Sequence, residues 1–476
     1  MAEAVAAFYA VETVVEGAAL GALAVSRSTA PLHLRFQRIA SSASKRRLAR
    51  SGHTLNIVKT KAYVIGGQSD PGVDDSAVLA LTLPVASSPD GEGNLKPVDF
   101  QAVQPPFKDN DRPLAPQTET TSQGSTFNRT GHTTTAINDK LYIWGGQVVN
   151  SASEKTQEGT LDDHFIVFDT LTNTYTTLEA DTSKCPDGIP PPRTMHTSTA
   201  SPHPQPGSSP NGPTTDAQGT IFIHGGTANG KDLRDTWSFN VGTRVWTRLP
   251  DIPDAGPSEI ANEGKLVYLN GKLWRLGDGF GRVLYLDIAE HQSQPDASVE
   301  PPKADKEWQV ISFGTEPTDP NINTSSSTST SAHLPMPRLS AGLLPITTGS
   351  GREYLLYFMG WEKSGSLNDF WSFQIDAEAN TAASVKDKVR DVVGQAKSSW
   401  KSGKYEWAKC EIKKEKAAEK KEKEGGKDGA ESDGWPEGLH SFASDVWNDQ
   451  GGNVIVIWGG KRGDQTVDEG WIVTVD

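Results

Sequence analysis

The sequence predicts an all-β protein, a six-bladed β-propeller made of four-stranded blades. Three observations predict it. An apolar run that ends at or next to a glycine recurs six times along the 476 residues, two further strand-like segments accompany nearly every run, and the last unit lacks a fourth segment that the N-terminal part supplies. Repeated units that cannot bury their own faces must stack on one another. A ring closed by its own chain also removes exposed sheet edges.

The first repeated element has the pattern of a buried strand that glycine ends. Glycine permits a positive φ or a close backbone approach where a side chain would clash. The six runs are "AYVIGG", "LYIWGG", "IFIHGG", "LWRLGD", "LLYFMGW" and "VIVIWGG". Because "LGD" and "MGW" replace the glycine pair in the fourth and fifth runs, we expect a ring whose surface is not uniform.

Two further elements complete each unit. A second element follows each glycine and is the third strand of its unit; the six segments are "VLALTL", "HFIVFD", "DTWSFN", "RVLYLD", "DFWSFQ" and "EGWIVTV". A third element centres on an aromatic residue, namely Phe100, Tyr175, Trp246, Trp308 or Trp407. Short turns such as "DTLTN" and "NVGTR" between these elements predict hairpins. With the strand that precedes the first run, each unit has four strands.

The last unit accounts for the closure of the ring. It ends at Asp476, directly after its third strand, and residues 32–39, "LHLRFQRI", have the pattern of the missing strand with Phe36 at the aromatic position. We therefore predict that 32–39 is the closing strand of blade six. The propeller then spans 32–476, and we expect 1–31 to pack on it.

The units resemble kelch repeats, which carry paired glycines after a strand, a downstream aromatic near "W-x-x-L" and Arg or His before the first strand. The resemblance covers 32–476, although blade four lacks the Arg/His opening. Some propellers of this type resemble galactose oxidase, whose copper site needs two His, two Tyr and a Cys cross-linked to one Tyr. Here Cys410 falls on an outer strand and Cys185 in a loop before "PPPRTMH". We expect neither that copper site nor another cofactor.

Two insertions interrupt the repeats. Residues 376–404 carry apolar side chains at helical spacing, which predicts a short helical insertion in blade five. We expect its apolar stripe to pack on the propeller, with a partner groove or a membrane surface that receives the stripe as the alternative. Residues 411–437 mix both charge signs and predict a solvated, charged linker loop, with a docking element as the alternative.

Composition excludes several classes of partner. The net charge of −14 argues against binding to nucleic acid or to an anionic membrane. The apolar N-terminal segment contains Glu3, Glu12 and Glu16, which argues against a signal peptide or a stable membrane insertion. Two cysteines cannot form a disulfide framework, which favours a cytoplasmic or nuclear location.

One metal site is a candidate. Plant specifier proteins, which are kelch propellers, carry an iron site written Glu-x-x-x-Asp-x-x-x-His. The nearest match here is Glu158, Asp162 and His164 in "EGTLDDHF", where the first spacing fits and the histidine comes two residues early. The resemblance implies an alternative function, a metal-dependent lyase or isomerase that acts on a small molecule.

The leading hypothesis is a non-catalytic interaction scaffold. Polar residues flank the first strands and converge near one mouth of the ring. They are Arg50, Arg129, Arg193, Arg338, His53, His132, His196, Gln68 and Gln147. In one interpretation the Arg and His side chains bond neighbouring blades and hold the ring together. In the other they form an electropositive face for a peptide or protein partner, acidic or phosphorylated, because guanidinium groups bind such anions bidentately.

Overall fold

The computed structural model describes fourteen stretches of the chain: 31–39, 49–69, 77–84, 100–106, 126–148, 163–201, 219–253, 264–276, 282–288, 307–313, 334–349, 351–375, 405–413 and 434–476. Within them the strands form six main sheets, the blades, which follow one another along the chain and are antiparallel except for one parallel pair at the outer edge of the last. The first strand of each main sheet contacts the first strand of the next main sheet. The first strand of blade 6 contacts the first strand of the main sheet of blade 1. The ring is therefore closed, and the prediction of a six-bladed propeller is confirmed.

The strands are numbered in chain order. Each blade is given with the two-residue strands that form a separate two-stranded sheet beside its main sheet. The closing strand is β1 (His33–Ile39). Blade 1 comprises β2 (Arg50–Ser51), β3 (Thr54–Val58), β4 (Lys61–Ile65), β5 (Gln68–Ser69), β6 (Val78–Thr82) and β7 (Phe100–Val103). Blade 2 comprises β8 (Arg129–Ile137), β9 (Lys140–Val148), β10 (Phe165–Asp169) and β11 (Thr174–Leu178). Blade 3 comprises β12 (Thr197–Ser201), β13 (Thr220–His224), β14 (Thr227–Ala228), β15 (Lys231–Asp232), β16 (Thr236–Asn240) and β17 (Val245–Leu249).

The second half of the ring repeats this order. Blade 4 comprises β18 (Lys265–Leu269), β19 (Lys272–Leu276), β20 (Arg282–Asp287) and β21 (Gln309–Ser312). Blade 5 comprises β22 (Gly342–Thr347), β23 (Glu353–Phe358), β24 (Trp361–Glu362), β25 (Gly365–Ser366), β26 (Phe370–Gln374), β27 (Trp407–Lys409) and β28 (Glu411–Ile412). Blade 6 comprises β29 (Ala443–Val446), β30 (Val454–Trp458), β31 (Lys461–Arg462), β32 (Gln465–Thr466) and β33 (Gly470–Val475). Two short 3-10 helices are Thr182–Lys184 and Asn448–Gln450.

The N-terminal strand closes blade 6. Strand β1 pairs antiparallel with β33, from Leu34 opposite Val475 to Ile39 opposite Gly470. Phe36 packs edge-on against Trp471 of blade 6 and Phe370 of blade 5. The predicted closing strand is thus confirmed. The sequence did not predict a second contact, in which β28 of blade 5 pairs in parallel with the outer side of β1.

The hydrophobic core is divided into six clusters, and each lies between two adjacent blades. Between blades 2 and 3, for example, Trp144 packs beside Phe165 and Trp246. Because each blade is covered on both faces, its central strands are apolar at consecutive positions, as in β13, where all five residues are buried. This is why the repeated runs lack an alternating polar pattern.

Several predicted segments lie outside the described residues. They are nearly all of 1–31, the helical insertion at 376–404 and the central part of the charged loop at 411–437. In the part of the chain that the structure describes, no helix has the length and apolar character needed to cross a membrane.

Candidate interaction face

The connections between second and third strands, and those between successive blades, lie on one side of the ring because neighbouring strands are antiparallel. We call this side the upper face, and the opposite side the lower face. The predicted arginines and histidines all belong to the upper face. The predicted ligand-binding residues were expected to meet at its centre.

The four arginines are buried in the structure. Arg50, Arg129, Arg193 and Arg338 are exposed by 1%, 2%, 0% and 4%. Each donates a hydrogen bond from Nη1 to a backbone carbonyl of its own blade, at Gly66, Gly145, Gly225 and Met359, over 2.8–3.2 Å. A buried guanidinium group bonded to backbone oxygens fixes the turn after the second strand. It presents no charge to solvent.

Blades 3 and 5 add a carboxylate to this arrangement. Asp235 receives two hydrogen bonds from Arg193, at 2.5 and 2.8 Å, and a third from Nε1 of Trp237 at 2.6 Å. Burial works against the charged carboxylate, but the hydrogen bonds and charge of Arg193 outweigh it and lower the pKa of Asp235. Asp369 has the same relation to Arg338 and Trp371. These charges are neutralised inside the ring.

The three histidines lie at blade boundaries. A Cβ atom at the first glycine of the preceding blade would lie only 2.6–2.8 Å from Cε1 of His132, His196 or His53. His196 Nε2 and Thr133 Oγ1 of blade 2 are hydrogen-bond partners 2.8 Å apart. Burial, reinforced by the neighbouring arginine, lowers the pKa of His53 and His196 to about 3 and that of His132 well below its usual value. The imidazoles are therefore neutral at pH 7.

A backbone hydrogen bond completes each of these boundaries. The amide of Gly67 donates to the carbonyl of Arg129 at 2.8 Å, and that of Gly146 to Arg193 at 3.0 Å. The amide of Gly460 donates to Arg50 at 2.9 Å, so blade 6 is joined to blade 1 in the same way. We call the glycine pair of one blade, together with the arginine and the histidine of the next blade that it contacts, the interblade latch.

The boundary between blades 5 and 6 has an apolar version of the interblade latch. The amide of Gly360 donates to the carbonyl of Leu439 at 2.9 Å, which places Leu439 at the arginine position. Met359 stands at the first glycine position, with φ 52°, and Phe442 stands at the histidine position. Met359 and Leu439 are buried in one cluster against which Phe442 packs. The replacement of the first glycine by Met359 in blade 5 is thus accompanied by leucine in place of arginine and phenylalanine in place of histidine in blade 6.

The remaining predicted residues have different surroundings. Gln68 is exposed on β5, and Gln147 is partly exposed near the end of β9. Glu158 and Asp162 lie outside the described residues. His164 directly precedes β10, with Nδ1 3.5 Å from the carboxylate of its neighbour Asp163. No group of three His, Cys, Asp or Glu side chains able to hold a metal occurs among the described residues.

The two cysteines are separate in the structure. Cys410 follows the outer strand β27 and is buried, which raises the pKa of its thiol to about 12. Cys185 is partly buried, and its sulfur accepts a hydrogen bond from the amide of Trp246.

One feature of the upper face was missed from the sequence. In five of the blades, one residue near the start of the first strand has a positive φ of 51–69°. These residues are Gly52, Gly131, Met195, Ser340 and Ser441. Four are small, but Met195 carries a long apolar side chain that is 61% exposed. The signal was present in the sequence, since "RTMH" has methionine where "RSGH" and "RTGH" have glycine.

Two further apolar side chains are exposed on the upper face. Met336 is 53% exposed and lies two residues before Arg338. Trp361 is 37% exposed on β24, whose backbone pairs with Leu339 beside the same arginine. Exposed apolar side chains can serve as anchors for a partner that binds the same face. We call Met195, Met336 and Trp361 the apolar set of the upper face.

The chain is similar to known proteins in two respects. The Kelch motif family matches residues 217–253, which cover β13 to β17 of blade 3. The solved structure of YjhT is similar, with a TM-score of 0.44 and 13% identity over 92% of this chain and 99% of that chain. No match was found among the curated proteins. The motif match and the six four-stranded blades together support the kelch-repeat propeller family, and with it a protein-interaction or general propeller role.

Proposed function

We propose that this protein is a non-catalytic interaction scaffold that binds a peptide or protein segment on its upper face. The observation that carries the proposal is Met195, a large apolar side chain held outward at a position where the other described blades have glycine or serine. Left-handed backbone costs methionine roughly 1–2 kcal/mol relative to glycine, and the exposed side chain that it carries is available to a partner.

The apolar set offers anchors for such a partner. Methionine and tryptophan are enriched at protein interfaces, where they give large contact areas and, for methionine, an adaptable shape. Gln68 lies on the same face and supplies a polar group that can bond the backbone of a bound segment. The partner therefore has aliphatic or aromatic side chains as its main contacts.

An acidic or phosphorylated partner is the second form of this proposal, and the buried arginines argue against it. Guanidinium groups that are 0–4% exposed and bonded to carbonyls or carboxylates cannot pair with a phosphate without breaking the hydrogen bonds that fix the turns of their own blades. In our proposal the arginines and histidines act indirectly, because they hold the loops that present the apolar set.

The test starts from peptides selected on the immobilised full chain from a random phage-displayed library. The affinity of a selected peptide is then measured for wild type, Met195→Gly and Trp361→Ser. Met195→Gly restores the residue that blades 1 and 2 carry, so the fold is preserved. We expect about a tenfold loss of affinity or more for each variant, the usual effect of removing an anchor side chain.

The matched control is Leu171→Ser. Leu171 is 67% exposed in the turn between β10 and β11, on the lower face. This substitution also removes an exposed apolar side chain and is expected to leave the affinity unchanged. Loss of affinity in Leu171→Ser but not in Met195→Gly contradicts the proposal. Peptides rich in Asp and Glu, with binding that weakens steeply in salt, favour the acidic form instead.

We also propose a cytoplasmic or nuclear location. Cys185 and Cys410 are both free thiols, and free thiols are typical of reducing compartments. Fractionation of the source cells with an antibody to the protein tests this, and recovery from the secreted fraction contradicts it.

A further inference from the structure

The three methionines among the described residues fall into two classes. Met359 is fully buried, whereas Met195 and Met336 are 61% and 53% exposed. Methionine is normally one of the residues most often buried. Both exposed methionines lie on the upper face, and the chain has only four methionines in total. Exposed thioethers are thus concentrated on the surface that we propose binds a partner.

The structure holds the Met195 thioether in an open position. The Met195 amide donates to the carbonyl of Gly131 at 2.8 Å, while Thr194 and Thr227 exchange two backbone hydrogen bonds beside it. Its sulfur lies beside Gly131, 3.4 Å from where a Cβ atom of that residue would be. Because Gly131 has no side chain and Met195 is 61% exposed, a small oxidant can reach the sulfur.

We propose that Met195, with Met336, is a site of reversible oxidation that switches binding on the upper face. The oxidant is a hydroperoxide. The sulfur lone pair attacks the terminal oxygen and forms an S–O bond, the O–O bond breaks, and the sulfur is oxidised by two electrons. The remainder of the hydroperoxide leaves as an alcohol, or as water when the oxidant is hydrogen peroxide. A methionine sulfoxide reductase reverses the step with a dithiol, which becomes a disulfide as the oxygen leaves as water.

The inference rests on the proposed function, because the switch acts on the same surface. A sulfoxide is polar and accepts hydrogen bonds, so it disfavours burial against an apolar partner side chain. The backbone around residue 195 is fixed by the hydrogen bonds given above, and the polar oxygen therefore replaces the anchor at the same place. We expect about a tenfold loss of affinity for a peptide that binds there.

The first test needs no partner. The full-length protein is treated with hydrogen peroxide, and the sulfoxide at each methionine is followed by peptide mass spectrometry. Met195 and Met336 are expected to oxidise at least tenfold faster than Met359, and a mixture of the two sulfoxide reductase types should restore them. Met359 is the internal control. Equal rates at Met195 and Met359, or sulfoxide at 195 that the reductases cannot repair, overturn the site.

The second test uses a phage-selected peptide and fluorescence anisotropy. Reduced, peroxide-treated and reductase-repaired protein are compared, together with Met195→Leu/Met336→Leu, whose side chains resist oxidation. The affinity of wild type is expected to fall about tenfold on oxidation and to return on repair. The affinity of the leucine variant, whatever its starting value, is expected to be the same before and after peroxide treatment. Unchanged affinity of the oxidised wild type overturns the switch. A failure to select any peptide bears on the proposed function alone, since the oxidation rates are measured without one.

Discussion

The close approach of Gly145 to blade 3 gives the sharpest stability prediction. Gly145 is the first glycine of the blade 2 pair, and its φ is +64°. A Cβ atom at this position would lie 2.5 Å from the carbonyl oxygen of Arg193 and 2.8 Å from Cε1 of His196. Gly145→Ala therefore forces both parts of the interblade latch apart. The chain also supplies a matched control, Gly230→Ala, at φ +69° with no atom within 4 Å of the added methyl group.

The two substitutions differ in one physical effect. Both place an alanine in left-handed backbone, which costs roughly 1–2 kcal/mol. Only Gly145→Ala adds overlap with a packed neighbour, and overpacking costs about 1–3 kcal/mol more. We expect the free energy of unfolding of Gly145→Ala to be about 1–3 kcal/mol below that of Gly230→Ala.

The assay is urea unfolding followed by tryptophan fluorescence, with the midpoint and slope compared for wild type and both variants. A change of midpoint at constant slope is a change of stability. Equal losses in the two variants would refute the reasoning, because the contact with Arg193 and His196 would then contribute nothing. A larger loss in Gly230→Ala would refute it as well.

Three further predictions follow from buried ionisable groups. Because the pKa of His196 is lowered to about 3 in the fold, the unfolded chain binds more protons below pH 6.5. Stability should fall as pH drops from 6.5 towards 3, and His196→Gln should reduce the slope by about 1.4 kcal/mol per pH unit, measured by urea unfolding at several pH values. Burial raises the pKa of Asp445 to about 7, against two backbone hydrogen bonds that favour its charge, so stability is lost as pH rises through 4–7. Asp445→Asn should remove this loss, so its free energy of unfolding relative to that of wild type should be higher at pH 8 than at pH 5. The same pH profile in both proteins contradicts the prediction. Asp235→Asn strands the buried Arg193 and should cost about 3–5 kcal/mol in thermal or urea unfolding, against about 0–1 kcal/mol for Asp251→Asn at an exposed ion pair; similar costs contradict the assignment.

The strands and the ring closure could be predicted because they depend on local patterns. Each buried strand has a continuous apolar run that glycine ends, and the closing strand 32–39 has the aromatic pattern of a fourth strand. The pairing of β28 with β1 could not be predicted, since Glu411 and Ile412 have no pattern of their own and the contact depends on how two blades meet. Contacts between blades join residues far apart in sequence.

The candidate site was harder to predict for the same reason. An arginine before a strand has the same sequence signature whether its guanidinium group faces solvent or a carbonyl of its own blade. The orientation of the Arg129 guanidinium group depends on its hydrogen bond to the Gly145 carbonyl, which is 2.8 Å away and sixteen residues later in the chain. It also depends on the packing that buries both groups. Met195 could have been found, because it breaks a repeat at a position that glycine fills twice. The paired changes at Leu439 and Phe442 become visible only once Met359 is seen to contact the next blade.

The central claim is that exposed side chains of the upper face bind the partner while the buried arginines and histidines support them. Hydrogen–deuterium exchange of the full chain, with and without a saturating phage-selected peptide, tests it most directly. The account predicts slower exchange with peptide bound at 194–196, 336–340 and 361–366, with no change in the lower-face turn at Leu171. Protection at that turn, or no protection around Met195 in a protein that binds the peptide, would contradict it.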